Sequence, residues 1–345
     1  MSKRIGQIGL LLFVVLAGGA LRALRLNWQP LWADEGYSIY FATEPPARMI
    51  GLTAHDIHPP LYYLLLHLWQ LPTAGPTPIA LRLFSLAAAI PALLLLVALA
   101  HQLFPGRRRL LWVATLLFAV NPAHLFYSQE VRMYGLALTL SLASTLAFCL
   151  MFVHVGAARR TVSPRVWLLL YIFTTTAALY TLYYTAFLFL AHLLWLLRQT
   201  KGKWLQLRLL LLAQSVIGLL YLPWVLYVAG DLTSYVDDKI GADQDLPLGL
   251  GTYLLRHLLA FFAGHLTLPT WPVGWRLVVF FALALLFFAL LGPWYRKRRT
   301  NRGQNPTLAL PEIGEGIVRF LLSANGQVGA IGSLWSVLLI PSAIA

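Results

Sequence analysis

Three short polar segments interrupt an otherwise apolar chain, and each carries side chains that could do chemistry. They read WADE at residues 32–35, DIHPP at residues 56–60 and YSQEVRMY at residues 127–134. Ionisable groups at the mouth of a membrane helix bundle are costly to desolvate and usually mark a functional site. The three segments therefore predict a site built from carboxylate, imidazole and guanidinium groups.

The first segment places Asp34 and Glu35 side by side. One carboxylate could act as a general base that takes a proton from an attacking hydroxyl, while the other orients it. The sequence does not rank the two residues. The alternative interpretation is a helix cap or an ion pair at the membrane interface.

The second segment offers His55, Asp56 and His58 within four residues, followed by Pro59-Pro60. Imidazole and carboxylate are ligands that suit zinc, but no fourth ligand is indicated. The other interpretation is that His58, held by the rigid prolines, contacts an anionic headgroup. Both interpretations stay open at this point.

The third segment carries Glu130 and Arg132. The planar guanidinium of an arginine suits a phosphate clamp, and a structural salt bridge is the alternative. Arg82, near the start of the second apolar segment, is a weaker candidate for the same role.

The composition indicates which elements must position these residues. Hydrophobic residues make up 59% of the 345 residues and charged residues only 11%, whereas soluble domains carry about 25% charged residues. Apolar runs of about 18 residues or more recur, and each could cross a bilayer. The sequence therefore predicts an all-α, polytopic bundle of transmembrane helices. The single cysteine, Cys149, excludes a disulfide framework.

The net charge of +14 does not indicate nucleic-acid binding, because the basic residues cluster in short loops between apolar runs. Such clusters mark cytoplasmic loops in membrane proteins. Most acidic residues lie in the other set of loops. We therefore expect a cytoplasmic N-terminus and the three polar segments on the outer face of the plasma (inner) membrane.

This orientation predicts eight spans, with the first one retained rather than cleaved as a signal peptide. The segment Leu61 to Leu71 is too short to cross, and we expect a helix at the outer interface, with a second one from Tyr253 to Leu266. From Thr300 the chain turns polar and aperiodic, which predicts a domain of residues 1–299 followed by an atypical tail, 300–345. The predicted spans are residues 5–23, 79–104, 110–127, 134–155, two within 166–197 that divide near 180–185, 207–228 and 273–292.

Four motifs together resemble a known family. WADEGYS, DIHPPLYYLLLHLW, IALRLFSLAAAIPALLLL and NPAHLFYSQEVRMYGLAL are similar to segments of the integral-membrane GT-C glycosyltransferases of family 39. That group includes the protein O-mannosyltransferases and the lipid A aminoarabinose transferases. The resemblance covers residues 1 to 200 best and thins after that.

The resemblance implies a sugar donor on a polyprenyl monophosphate, transfer on the outer face and inversion at the anomeric carbon. It implies that Asp34 is the catalytic aspartate and that His58, Glu130 and Arg132 lie near the donor phosphate. Asp56, Arg82 and Tyr62 join the predicted substrate-binding residues. The acceptor would be a hydroxyl of a glycan, lipid or protein, and no cofactor is required.

Two features depart from the family pattern. Relatives often carry Tyr-Thr-His-Tyr where this chain has Tyr180-Thr181-Leu182-Tyr183, which weakens the metal interpretation further. Relatives also continue with more spans, so the tail suggests a truncated or degenerate copy. The alternative from another functional class is a transporter or flippase of lipid-linked substrates, although its polar residues would usually lie at the bilayer midplane in repeated halves.

Overall fold

The protein is built from α-helices. A computed structural model describes residues 2–56, 58–72, 77–152, 163–199, 204–242, 249–251 and 253–254, and within these ranges there is no β-strand, which confirms the all-α prediction. In chain order the helices are α1 (Ser2–Ala23), α2 (Ala33–Thr43), α3 (Pro46–His55), α4 (Leu61–Gln70), α5 (Pro78–Ala89), α6 (Pro91–Leu103), α7 (Arg108–Ala119), α8 (Pro122–Gln129), α9 (Tyr134–Phe152), α10 (Pro164–Leu179), a 3-10 turn (Tyr183–Ala186), α11 (Phe187–Gln199) and α12 (Trp204–Ala242).

Several of these helices are long and apolar enough to cross a membrane, which indicates a multi-pass membrane protein. Three described helical segments qualify by length and composition: Pro78–Leu103, Tyr134–Phe152 and Trp204–Asp231. A bent pair, Arg109–Ala119 with Pro122–Gln129, makes a fourth candidate. Shorter apolar helices lie at Leu11–Ala23, Pro164–Leu179 and Tyr183–Arg198. The described residues therefore support three to four of the eight predicted spans.

The segment predicted as a span at 110–127 is divided in two, because the helix breaks between α7 and α8 with a bend of 46°. Pro122 has no N–H to continue the ladder and clashes with the preceding turn. Asn121 then restarts the helix, since its side chain accepts a hydrogen bond from the His124 backbone N–H at 2.8 Å. Thr77 caps α5 in the same way, before Pro78.

The predicted break near residues 180–185 is confirmed. Helix α10 ends at Leu179, a turn and the 3-10 segment follow, and α11 begins at Phe187. Helix α12, in contrast, continues to Ala242. The acidic residues expected in a loop after residue 228, Asp231, Asp237 and Asp238, therefore lie on a helix.

The two largest apolar clusters among the described residues hold most of these helices together. The larger cluster packs α6, α9, α10, α11 and α12 along the length of the bundle. The second cluster joins α2, α4, α5, α8 and the start of α9 at one end. This second cluster supports the polar segments, because α2 to α4 fold over that end.

The short segment at residues 61–71 forms the ten-residue helix α4, as predicted. It follows Pro59-Pro60 and buries Tyr62, Tyr63 and Leu66 against the second cluster. The predicted span 273–292, the tail 300–345 and most of the predicted helix 253–266 lie outside the described residues.

Candidate active site

The two neighbouring carboxylates of the first loop have opposite environments, and Glu35 is the buried one. Its side chain is 1% exposed, and Arg82 of α5 donates to both oxygens, from Nε to Oε1 at 3.2 Å and from Nη2 to Oε2 at 2.9 Å. The Val131 backbone N–H donates to Oε1 at 2.9 Å. Glu35 therefore ties the start of α2 to α5 and to the segment before α9.

Arg82 uses its other donors on the loop that leads into α2. Its guanidinium donates to the carbonyl oxygens of Leu26 at 2.7 Å, Gln29 at 2.8 Å and Pro30 at 3.3 Å. A buried arginine with these bonds holds the loop in one conformation. Its contacts favour a structural role for Arg82 over the predicted phosphate contact.

Asp34 faces outward. Its side chain is 42% exposed, and its Oδ2 lies 3.6 Å from Nη2 of Arg132. Arg132 also donates from Nη1 to the Asp34 backbone oxygen at 3.3 Å. Asp34 occupies the first turn of α2, where the helix dipole favours a negative charge. It is thus an accessible carboxylate held in place by a buried arginine.

Glu130 and Arg132 lie in the extended connection between α8 and α9. Arg132 is buried, its Nε has no hydrogen-bond partner within the described part of the chain, and its guanidinium lies 5.7 Å from the centre of the Tyr134 ring. Glu130 is also buried, and its Oε2 has no hydrogen bond. Burial, followed by the nearby Glu35 charge, raises the pKa of Glu130 to about 8, although Arg132 opposes the shift.

His58 is held by Asp56 in the connection between α3 and α4. Its Nδ1 lies 2.6 Å from the backbone oxygen and 3.0 Å from Oδ2 of Asp56. Since both neighbours accept hydrogen bonds, Nδ1 carries a hydrogen and Nε2 faces away from Asp56. The ring is a third or less exposed and meets Tyr63 edge-on, with 6.3 Å between ring centres.

The two histidines of this segment do not converge. His55 pairs instead with Asp231 of α12 at 3.2 Å. Within the described ranges, no three or more His, Cys, Asp or Glu side chains are grouped as metal ligands would be.

Two tyrosines of α4 lie behind the site. Tyr62 is fully buried, and its hydroxyl bonds to Oγ of Ser85 at 2.8 Å, so its contacts are those of a packed core residue. Burial raises the pKa of Tyr63, and the charges of Arg132, which lowers it, and Asp56, which raises it, also act on its hydroxyl. The structure therefore brings Asp34, Arg132, Asp56 and His58 to the same end of the bundle.

An apolar groove of about 610 Å³ opens beside this end. Pro60, two residues after His58, is one of its lining residues, and α10 and α12 supply most of the others. No sequence pattern predicts it, because its walls come from four separate segments. Its lining residues are Ile50, Pro60, Leu61, Leu64, Phe173, Thr176, Ala177, Tyr180, Leu220, Pro223, Trp224 and Tyr227.

Sequence reasoning also missed a buried arginine behind the site. Arg22 of α1 is fully buried and donates to the carbonyl oxygens of Gly18, Phe118 and Ala119 at 2.7 to 2.9 Å, and from Nε to Nδ1 of His124 at 2.8 Å. The carbonyls of Phe118 and Ala119 lose their helical partners where α7 ends. An arginine at the end of α1 and the Asn-Pro pair at 121–122 were the available signals.

Comparisons with models of known protein families, with curated proteins and with solved structures found no match for this chain.

Proposed function

We propose that this protein is a glycosyltransferase that moves a sugar from a polyprenyl-phosphate donor to an acceptor hydroxyl on the outer face of the membrane, with inversion. The observation that carries the proposal is the difference in environment between two adjacent carboxylates. Glu35 is buried in an ion pair with Arg82, while Asp34 is accessible and held by Arg132. The resemblance in sequence supplies the reaction class, which rests on analogy.

Asp34 is the general base in this proposal. An exposed carboxylate can reach the hydroxyl of an acceptor that arrives from the aqueous side, which a buried one cannot. Asp34 takes the hydroxyl proton, the acceptor oxygen bonds to the anomeric carbon, and the bond from that carbon to the phosphate oxygen breaks. The electron pair leaves with the phosphate.

Arg132 stabilises the departing phosphate, and His58 does so in the form that carries a hydrogen on both ring nitrogens, because only then can Nε2 donate. The negative charge of the phosphate grows as the bond breaks, and a preorganised cation is worth most where charge develops in a water-poor site. Arg132 is only 5% exposed, its Nε has no partner, and its contact with Asp34 is long, at 3.6 Å. These features leave guanidinium N–H groups that can turn to a phosphate oxygen.

The apolar groove takes the isoprenoid chain of the donor. Pro60, two residues after His58, is one of its lining residues, so a phosphate near His58 would have the groove within reach of its isoprenoid chain. Each buried methylene contributes about 0.8 kcal/mol to binding. A polar site with an apolar groove beside it is what a lipid-linked substrate requires.

The test is release of free polyprenyl phosphate by the purified chain in proteoliposomes, with a panel of polyprenyl-phosphate sugars and a membrane extract as the source of acceptor. We expect release from one donor, and a loss of about 10²–10⁴-fold in Asp34→Asn. Glu44→Gln is the matched control, because Glu44 lies just after α2 and pairs with Arg48 outside the site.

Each negative result of the release assay has a different meaning. No release from any donor by folded protein contradicts the reaction class, and donor movement across the bilayer without release would indicate a flippase. Undiminished release by Asp34→Asn would leave the class intact and remove Asp34 from the role of base.

A further inference from the structure

Glu130 is a buried carboxyl group with no ionic partner among the residues that the structure describes. Its side chain is 6% exposed, Oε2 has no hydrogen bond, and no described Lys, Arg or His lies within ion-pair distance of it. An ionised carboxylate in such surroundings is costly, and the usual outcome is that the group holds its proton.

The charges around Glu130 are already balanced. Glu35 and Arg82 neutralise each other at 2.9 Å, and Asp34 and Arg132 lie 3.6 Å apart. The titratable and charged groups that act on Glu130 come from α2, α5, α8 and the start of α9. They are Asp34, Glu35, Arg82, Tyr127, Arg132 and Tyr134.

An ionised Glu130 would therefore add an unbalanced negative charge to this end of the bundle. Two residues along the chain, Arg132 is the cation that the proposed function assigns to the donor phosphate. In a site of low dielectric, one more negative charge both attracts the guanidinium and repels an anionic headgroup.

We propose that Glu130 is a positioning residue whose neutral form keeps Arg132 available to the donor phosphate, so that loss of the Glu130 proton closes the site to the donor. This inference rests on the proposed function and adds a pH window to it. Glu130 acts through Arg132 and needs no contact with the reacting atoms.

The window follows from the burial of Glu130. Because burial raises its pKa to about 8, the neutral form dominates below that pH and the ionised form above it. If donor binding requires the neutral form, affinity is constant below about pH 8 and falls by about tenfold for each pH unit above it.

The experiment measures binding of a prenyl phosphodiester to the full chain in detergent, from about pH 6 to about pH 10. A diester probe is used because a phosphate monoester itself has a second pKa of about 6. The wild-type protein should show the fall above about pH 8. Glu130→Gln, which is neutral at every pH, should keep the low-pH affinity throughout, while any other titration in the site persists in both proteins.

A second measurement needs no variant. Infrared spectra of the wild-type protein labelled at glutamate should show the C=O stretching band of a neutral carboxylic acid at pH 7 and lose it around pH 8. The absence of that band at pH 7 would overturn the inference, even if Glu130→Gln does not fold.

The outcomes separate the two proposals. Binding by both proteins with the same fall above pH 8 overturns the role of Glu130 and leaves the proposed function standing. No binding by the folded wild-type protein at any pH overturns both.

Discussion

At the scale of single residues, the buried pair of Glu35 and Arg82 decides the shape of the site. Their side chains are 1% and 4% exposed, so both charges have left water. Removing one partner of such a pair leaves an uncompensated buried charge, which is more harmful than losing an exposed pair. Arg82 also donates to three carbonyl oxygens of the loop before α2, so the conformation of that loop depends on it as well.

We therefore expect Glu35→Gln to lower the free energy of unfolding by about 3–5 kcal/mol. Arg82→Met should cost more, since it also strips the loop carbonyls of their donor. Unfolding in detergent, followed by tryptophan fluorescence, measures both variants. Arg48→Ala is the control: the Arg48–Glu44 pair is mostly exposed, with 3.4 Å between its atoms, and such i,i+4 pairs contribute only about 0.3–0.5 kcal/mol. Equal losses for Glu35→Gln and Arg48→Ala would show that Glu35 is not a buried partner of Arg82.

The sequence predicted which residue types would gather, but not which would pair. In a helix, neighbours such as Asp34 and Glu35 point about 100° apart, so only one of them faces the core. Which one is buried depends on Arg82, 47 positions along the chain, and on the Val131 N–H, 96 positions along. No local pattern carries that information.

At the scale of elements, the site depends on how closely α5 and α9 approach. A Cβ added at Gly135 of α9 would lie 2.9 Å from the Ala89 Cβ and 3.5 Å from the Ser85 carbonyl oxygen of α5. Thr139 of α9 also donates to the Ala88 carbonyl oxygen at 2.7 Å. Small residues allow this approach between helices in membranes.

Gly135→Ala should therefore destabilise the protein by about 1–3 kcal/mol, because two rigid backbones must move apart. This loss outweighs the gain of about 1 kcal/mol that alanine offers in a helix. Gly218→Ala in α12 is the control, since an added Cβ there meets nothing within 4 Å, and it should be neutral or stabilising. Thermal unfolding of both variants in one detergent makes the comparison, and a Gly135→Ala protein as stable as Gly218→Ala would contradict close packing at this crossing.

Helix positions were more predictable than helix breaks. The apolar runs indicated most helices, and the Tyr180–Thr185 region indicated the turn before α11. The break at Asn121-Pro122 has a local signal, but a break inside an apolar segment also needs a donor for the carbonyls it frees. That donor is Arg22, which lies 96 and 97 positions from its two carbonyl partners at the end of α7.

At the scale of the whole molecule, loops that alternate along the chain meet at one end. The Glu35 carboxylate bonds to Val131, the Leu61 N–H donates to the Tyr180 carbonyl oxygen at 2.9 Å, and His55 pairs with Asp231. In the predicted order of spans, an even number of crossings separates the first polar loop from each of these later connections, so all of them would fall on the same side of the membrane. The basic turn at Arg107 to Arg109 follows α6, and Arg198 ends α11, as the charge pattern predicts for the other end.

Which end faces outward can be tested with single cysteines in a Cys149→Ala background. Thr43→Cys lies on α2 at the end that holds the site, and Pro105→Cys lies in the turn before α7; both positions are exposed. Because the basic turn is expected to stay in the cytoplasm, a membrane-impermeant maleimide should label only Thr43→Cys in intact cells and both variants after permeabilisation. Labelling of Pro105→Cys alone would place the site in the cytoplasm, where a donor presented on the outer face could not reach Asp34. Equal labelling of both in intact cells would show that Pro78–Leu103 does not cross the membrane.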